Sequence, residues 1–181
     1  IFENKISKFL KVKHALAVQS GTAAIHLALK SLNCKRGDNV ILPNYTCVSN
    51  LSAVKQCGAN PIIVEVEKET LGLDYNELKK AIKKYKAKVI QLVHVYGCPA
   101  KYTFEIKNLC KKNNIYLLED FSESLGAKIN NKKVGTFGDI SISSIRSEKM
   151  IGVGEGGVVL SSNSNLFKKV ELIASRSSPF R

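Results

Sequence analysis

The sequence of 181 residues has no tryptophan, a single methionine and no uninterrupted run of about 18 apolar residues. Without such a run we expect no transmembrane helix and no membrane partner. The segment Ile1–Lys11 is amphipathic and has no cleavage pattern, so we expect no signal peptide.

Cysteine pairs are also missing. The five cysteines are scattered, their number is odd, and no two of them form a CxxC motif. This spacing predicts neither a disulfide framework nor a metal site, and it favours a reducing, cytoplasmic location. The residues are Cys34, Cys47, Cys57, Cys98 and Cys110.

Acidic residues are scarce, with 15 Asp and Glu against 28 Lys and Arg, which gives a net charge of +13. Strongly basic chains often bind nucleic acid. The densest lysine run, Lys79–Lys88, alternates with apolar residues as the solvated face of a helix does. No nucleic-acid motif accompanies it, so we predict no nucleic-acid partner. A basic surface would still attract small substrates that carry phosphate.

Apolar runs and helical patterns alternate along the chain, and 44% of residues are hydrophobic, enough for the core of one domain. The order predicts an α/β domain with a mostly parallel, doubly wound sheet and helices on both faces. Ligands of such folds bind beyond the carboxyl ends of the strands. The predicted strands are Ala15–Val18, Val40–Leu42, Ile62–Val66, Val89–Val95, Ile115–Glu119, Ile140–Ile145 and Val158–Ser161, with a hairpin over residues 127–135.

The predicted helices lie between these strands, and one of them has a marked start. Asp74 precedes a helical pattern, and Glu77 three residues later predicts a capping box. The helices are Ala23–Leu32, Val48–Cys57, Asp74–Lys84, Phe104–Lys112 and one from Asn165.

The motif Ser20-Gly21-Thr22 lies between a predicted strand and a helix. Gly21 would let a ligand approach the backbone, the helix start offers N–H groups to an anion, and Thr22 adds a hydroxyl. The alternative is that Ser20 or Thr22 is only the helix N-cap.

Two further strand ends carry ionisable groups. Asp120 follows the apolar strand IYLLE, where a carboxylate can pair with a cationic nitrogen or simply cap the next helix. Lys149 lies five residues after Ser144 and before a glycine-rich loop, where a lysine can react with an aldehyde or simply be exposed.

His94 ends another predicted strand, and Tyr96 and Gly97 lie beyond it. A hydrogen-bonded, packed histidine is the alternative to a proton-transfer role for His94. Taken together, a phosphate-type turn, a strand-end aspartate and a strand-end lysine follow one another in one sheet. Those parts suffice to hold pyridoxal phosphate: one binds the phosphate, one the pyridine nitrogen and one the aldehyde.

The sequence resembles the DegT/StrS family of pyridoxal-phosphate-dependent nucleotide-sugar aminotransferases over nearly its whole length. The matching segments include HALAVQSGTAAIHLAL, GDNVILPNYT, LLEDFSESLGA and SEKMIGVGEGGVV, in this order. The resemblance implies the large domain of the aspartate-aminotransferase (type I) fold for residues 1–181. It also implies that the N-terminal extension and the C-terminal small domain of family members are missing from this chain.

The resemblance also implies roles for individual residues. Lys149 would bind the cofactor covalently, and Asp120 would pair with its pyridine nitrogen. By the same resemblance, family members that dehydrate the sugar have histidine at the position of Lys149. The lysine here therefore favours amino transfer. The other implied cofactor contacts are Gly21, Thr22 and Ser144 at the phosphate and Glu123 near the 3-hydroxyl.

Several positions depart from the family pattern. Cys47 stands where many members have an aromatic residue on the pyridine ring, and its sulfur could still pack there. Arg146 replaces the more usual His or Tyr, and Phe121-Ser122 replaces an Ala-Ala pair. These departures concern specificity, for which the candidate substrate contacts are His94, Tyr96 and Arg146.

The implied function is amino transfer from an amino acid, with L-glutamate expected, to a nucleotide-linked keto-sugar in a homodimeric enzyme. The loop EKMIGVGEGG resembles that of 4-keto-6-deoxy-sugar aminotransferases. Two alternatives stay open, a related sugar dehydratase and a non-catalytic protein that binds or regulates.

Overall fold

The computed structural model describes residues 1–177, in which seven strands form one sheet and two short strands form a separate hairpin. The strands are β1 (His14–Val18), β2 (Asn39–Pro43), β3 (Asn60–Val64), β4 (Ala87–Val93), β5 (Tyr116–Asp120), β6 (Lys128–Ile129), β7 (Lys132–Lys133), β8 (Ile140–Ser144) and β9 (Gly157–Ser161). The helices are α1 (Phe2–Leu10), α2 (Gly21–Ser31), α3 (Val48–Gln56), α4 (Tyr75–Lys84), α5 (Thr103–Asn113) and α6 (Ser164–Ser177).

The sheet has the order β1-β9-β8-β5-β4-β2-β3. The four neighbouring pairs from β8 to β3 are parallel, whereas β9 is antiparallel to both β8 and β1. A loop over residues 145–156 joins β8 to β9 without a helix, which permits the reversed direction. The predicted mostly parallel sheet is confirmed, and β9 makes it a mixed one.

Helices cover both faces, as predicted, because successive residues of the buried strands point to opposite sides. Val40 packs in a cluster with α2, α3 and α6, and its neighbour Ile41 packs in another with α4 and α5. Leu117 and Leu118 divide in the same way. In a third cluster, α1 packs against β9 and against Phe137, which lies between β7 and β8.

Element boundaries differ from the sequence-based prediction in small, explicable ways. The predicted hairpin is confirmed as β6 and β7, and Asp74 caps α4 by accepting from the N–H groups of Asn76 and Glu77. The predicted capping box is wrong in its second half. The Glu77 carboxylate pairs with Lys80 one turn on, while the Asp74 N–H donates to the Glu65 carbonyl.

Within the described residues no helix combines the length and the apolar character that a membrane crossing requires.

Candidate active site

A pocket of about 720 Å³ lies at the carboxyl edge of the sheet. The loops that follow β1, β2, β4, β5 and β8 all contribute to its lining, because parallel strands end at the same edge. Every predicted site residue lines it: Gly21, Thr22, Cys47, His94, Tyr96, Asp120, Glu123, Ser144, Arg146 and Lys149.

The start of α2 forms one end of the pocket. Ser20 is the N-cap, since its hydroxyl accepts from the Ala23 N–H at 3.1 Å. The N–H groups of Gly21 and Thr22 and the Thr22 hydroxyl have no partner within residues 1–177. A Cβ on Gly21 would lie 2.7 Å from that of Ser144, so only glycine allows α2 to begin against the end of β8. The result is a group of N–H and hydroxyl donors at a positive helix end, which suits an anion.

Asp120 ends β5 with a side chain that is only 5% exposed. Its Oδ1 accepts from the Ser122 backbone N–H at 2.9 Å and from the Ser122 hydroxyl at 2.6 Å. The Ser122 oxygen in turn accepts from the Ser144 N–H, which ties the ends of β5 and β8 together. Oδ2 accepts from the Asn50 amide at 3.0 Å. The carboxylate is therefore an acceptor in every bond and is held on both oxygens.

Lys149 lies in the loop between β8 and β9, beyond the point where Ser147 and Gly154 close that loop with a backbone bond. Its Nζ is 2.9 Å from Oε1 of Glu123, and its side chain is 21% exposed. The lysine is thus neither a solvated surface residue nor a buried one. Its amine faces the pocket lining beside the Glu123 carboxylate.

His94 is buried beneath the pocket. Its Nδ1 accepts from the Ala100 N–H at 2.9 Å, so the ring hydrogen lies on Nε2 and is donated to Glu119 at 3.1 Å. Both ring nitrogens are engaged and the residue is 1% exposed. The prediction that His94 contacts substrate is therefore not supported by its geometry, and the packed, hydrogen-bonded alternative describes it.

Glu119 is the centre of this buried network. Burial alone would raise the pKa of Glu119, but the hydrogen bond and electrostatic contact from His94, together with backbone N–H groups, hold its pKa below the ordinary value. The other donors to its carboxylate are the N–H groups of Gly135, Phe137 and Gly138 and the hydroxyl of Ser141.

The mouth of the pocket carries the other two predicted substrate contacts. Tyr96 is 73% exposed, and its hydroxyl accepts from that of Tyr45 at 3.3 Å. Arg146 is exposed and pairs with Glu148 at 3.2 Å and Glu155 at 3.3 Å. Both side chains are accessible from the pocket opening, unlike His94.

Cys47 is exposed on the pocket lining at the N-cap of α3 and lies 3.3 Å from the Ser49 hydroxyl. It has no cap hydrogen bond of its own. All five cysteines are free thiols, and three of them are buried. In residues 1–177 no group of three or more His, Cys, Asp or Glu side chains could hold a metal ion.

Sequence reasoning missed two residues that hold Asp120. Ser122 was noted only as a departure from an Ala-Ala pair, although a hydroxyl two residues after a strand-end aspartate is a local signal for such a bond. Asn50 gave no signal, because it is 70 residues from Asp120 along the chain.

The comparisons with known proteins agree with this geometry. A model of the DegT/DnrJ/EryC1/StrS aminotransferase family matches residues 1–179. The GDP-perosamine synthase of Vibrio cholerae is 42% identical over 168 residues, which are 93% of this chain and 45% of that protein. The chain thus spans about half the length of the curated relatives it matches.

Solved structures agree as well. S. venezuelae DesV in complex with a ketimine intermediate superposes with a TM-score of 0.91 at 28% identity, over 99% of this chain and 48% of that one. A mutant of GDP-4-keto-6-deoxymannose-3-dehydratase (ColD) with bound GDP-perosamine has a TM-score of 0.85 at 30% identity, over 92% and 44%. The predicted type I aminotransferase fold is confirmed, and the chain belongs to the DegT/DnrJ/EryC1/StrS aminotransferase family.

Proposed function

We propose that this chain is the cofactor-binding part of a pyridoxal-phosphate-dependent sugar aminotransferase. The observation that carries the proposal is the convergence of Lys149, Asp120 and the start of α2 on one pocket in a chain of this family. Each of the three has a donor or acceptor position that no group within residues 1–177 occupies.

The residues present fit the cofactor. The unpaired N–H groups of Gly21 and Thr22, with the hydroxyls of Thr22 and Ser144, match the acceptors of a phosphate. The space beside Gly21, which a Cβ would fill, lets that phosphate come close to the backbone. Asp120 supplies a fixed carboxylate for a ring N–H. A volume of about 720 Å³ exceeds what the cofactor alone needs and leaves room for substrate.

When bound, pyridoxal phosphate supplies an aldehyde that accepts the amino group and a ring that withdraws electrons. The protein residues do the rest. The Lys149 amine would hold the cofactor's aldehyde and, as a free amine, could hold or move a proton beside it. Glu123, at 2.9 Å, orients that amine and can exchange a proton with it. Asp120 keeps the ring nitrogen protonated, and Cys47 packs at the pocket wall.

The proposed substrates are an amino acid, with L-glutamate expected, and a nucleotide-linked keto-sugar such as a 4-keto-6-deoxy sugar. GDP-perosamine synthases among the relatives support a sugar acceptor. Tyr96 and Arg146 at the pocket mouth are the proposed contacts, since both are accessible. The product would be an amino sugar for surface polysaccharide, and the free thiols suit a reducing cytoplasm.

A homodimer and the division into domains belong to the same proposal. Residues 1–181 would be the large domain, and a partner subunit would complete the site for a nucleotide-sugar. Large apolar side chains next to the pocket support this, since Val48 is 70% exposed and Met150 is 64% exposed.

The dehydratase alternative has structural support, because a sugar 3-dehydratase is among the neighbours. Lys149 argues against it, since a lysine amine at this position could bind the cofactor's aldehyde again, with loss of water, after the amino group has passed to the sugar. Incubation of the complete protein with glutamate and a GDP-4-keto-6-deoxy sugar separates the two. Amino transfer gives an amino sugar and 2-oxoglutarate, whereas dehydration gives a deoxygenated keto-sugar.

A second experiment tests the cofactor and the non-catalytic alternative. Borohydride should fix pyridoxal phosphate to the protein as a secondary amine, and peptide mass analysis should find it on Lys149. Lys149→Ala should abolish both this adduct and turnover, while Lys107→Ala on α5 should leave both intact. Wild-type turnover in Lys149→Ala without added amine would refute the proposal.

A further inference from the structure

Asn50 is a buried amide in the first turn of α3, with only 1% of its surface exposed. Its Nδ2 donates to the Thr46 hydroxyl and to Oδ2 of Asp120, both at 3.0 Å. The atom that faces Asp120 must be the nitrogen, because a carboxylate with an amide oxygen against it would be repelled. The orientation of the amide is therefore set by Asp120.

The same orientation leaves a polar atom without a partner. Oδ1 of Asn50 is buried and accepts no hydrogen bond from any group in residues 1–177. An unpaired buried acceptor destabilises a fold, and an apolar side chain of similar size would avoid that loss. The stability of α3 alone therefore does not account for an asparagine here.

The contact with Asp120 does account for it. A carboxylate has about four acceptor positions, two on each oxygen. Ser122 fills both positions on Oδ1 with its N–H and its hydroxyl, and Asn50 fills one on Oδ2. One position remains, on Oδ2, in a residue that lines the pocket.

We infer that Asn50 is a positioning residue: it fixes the rotation of the Asp120 carboxylate so that the one open position on Oδ2 is directed at the cofactor's ring nitrogen. This inference rests on the proposed function. Ser122 alone holds a single oxygen, about which the carboxylate can still turn. Asn50, on α3, holds the second oxygen and removes that freedom.

Without the amide, Oδ2 would be held by no group within residues 1–177, and the carboxylate could turn its open position away from the ring nitrogen. The ring nitrogen should then release its proton about one pH unit lower, which is about a tenfold weaker hold on that proton. The turnover number should fall by a similar factor, because an unprotonated ring withdraws fewer electrons. The KM for the amino donor should change little, since Asn50 is only 1% exposed and its amide is engaged with Thr46 and Asp120.

The test follows the proton directly. The complete protein is loaded with pyridoxal phosphate labelled with ¹⁵N in the ring, and the nitrogen resonance is followed between about pH 6 and 9. In the wild type the resonance should stay at its protonated position. In Asn50→Leu it should move with pH. If Asn50→Leu fails to fold, Asn50→Ala replaces it, because alanine only removes atoms. The nitrogen resonance of Asn50→Ala should move with pH in the same way.

Gln91→Leu is the matched control. Gln91 is also a fully buried amide, both of its polar atoms lack a partner in residues 1–177, and it does not line the pocket. Its replacement should leave the nitrogen resonance unchanged.

A resonance in Asn50→Leu and Asn50→Ala that stays at the wild-type position overturns the inference, and so does an equal shift in Gln91→Leu. If the wild-type protein binds no cofactor at all, the proposed function fails first. If the ring nitrogen is protonated in the wild type and its resonance is unchanged in the Asn50 variants, the proposed function stands. Only the role of Asn50 is then refuted.

Discussion

Asp120 and Lys149 differ in how tightly the protein holds them, and the difference matches their proposed tasks. Three protein donors immobilise the Asp120 carboxylate, whereas the Lys149 amine, on a loop rich in glycine, has one partner within residues 1–177, Glu123. A group that only accepts from a ring nitrogen benefits from rigidity. A group that must bind, leave and then move a proton needs freedom.

Asp120→Asn should lower the turnover number on the order of a hundredfold or more, the scale of losing a fixed electrostatic contact. The asparagine side chain has no negative charge, and its NH2 group would face the Asn50 amide or the Ser122 N–H, which are themselves donors. Steady-state kinetics with saturating amino donor measure the effect, and the absorbance of bound cofactor checks that the pocket is intact. An unchanged rate would leave Asp120 as a structural anchor for Ser122 only.

Glu119 allows a prediction about stability and pH. Its pKa is held below the ordinary value in the folded protein, so its stabilising contribution is complete above the unfolded pKa of about 4.5 and is lost as pH falls through the lower folded pKa. Glu119→Gln should therefore destabilise the protein by about 3 kcal/mol at pH 7, because buried donors lose their charged acceptor.

Urea unfolding at neutral and acidic pH measures this prediction. The difference in the free energy of unfolding between wild type and Glu119→Gln should shrink as the pH falls below about 4.5. Glu105→Gln, on an exposed part of α5, should match the wild type throughout. If the difference in the free energy of unfolding between wild type and Glu119→Gln does not vary with pH, the charge of Glu119 is not what stabilises the segment from Gly135 to Gly138.

At the scale of elements, the sequence predicted all seven strands of the main sheet and the helices after the first amphipathic segment, because period and turn residues are local signals. It could not predict that β9 runs opposite to its neighbours, since a short loop rather than a periodic pattern determines this. The sequence also could not predict which group pairs with the Glu77 carboxylate. Whether that carboxylate turns back to the cap or forward to Lys80 depends on the Glu65 carbonyl, which already occupies the Asp74 N–H.

The start of α2 is where an element itself contributes to the site. Gly21→Ala would place a Cβ 2.7 Å from that of Ser144 and push the helix away from β8. We expect about a tenfold loss in affinity for pyridoxal phosphate, because the N–H donors at the helix end move out of register with the phosphate. Titration of the unloaded complete protein with the cofactor, followed by absorbance, measures this.

Asp74→Ala is a suitable comparison for Gly21→Ala, since it alters the start of α4 away from the pocket lining. It should lower the free energy of unfolding by about 1 kcal/mol through loss of the cap and leave cofactor affinity unchanged. Equal cofactor affinity in Gly21→Ala and wild type would mean that the α2 start is not the phosphate site.

At the scale of the whole molecule, we expect the complete protein to be a homodimer whose partner covers the edge of the pocket. Several large apolar side chains are exposed on the segments that line it, and exposed apolar surface next to a ligand site favours association with a partner. The loop that carries Lys149 contributes three of them and α3 and the pocket mouth contribute two more: Met150, Ile151, Val153, Val48 and Tyr96. A second subunit could supply further contacts to the diphosphate and the base of a nucleotide-sugar.

Analytical ultracentrifugation and activity assays on the same samples test this expectation. Val153→Glu places a charge in the apolar surface and should shift the complete protein toward monomer, with activity falling in step with the dimer fraction. Leu172→Glu, at another exposed apolar position, on α6, should leave both unchanged. A monodisperse wild-type monomer with full turnover would contradict the prediction. Such a result would mean that one subunit forms a complete site without a partner on the surface around Lys149.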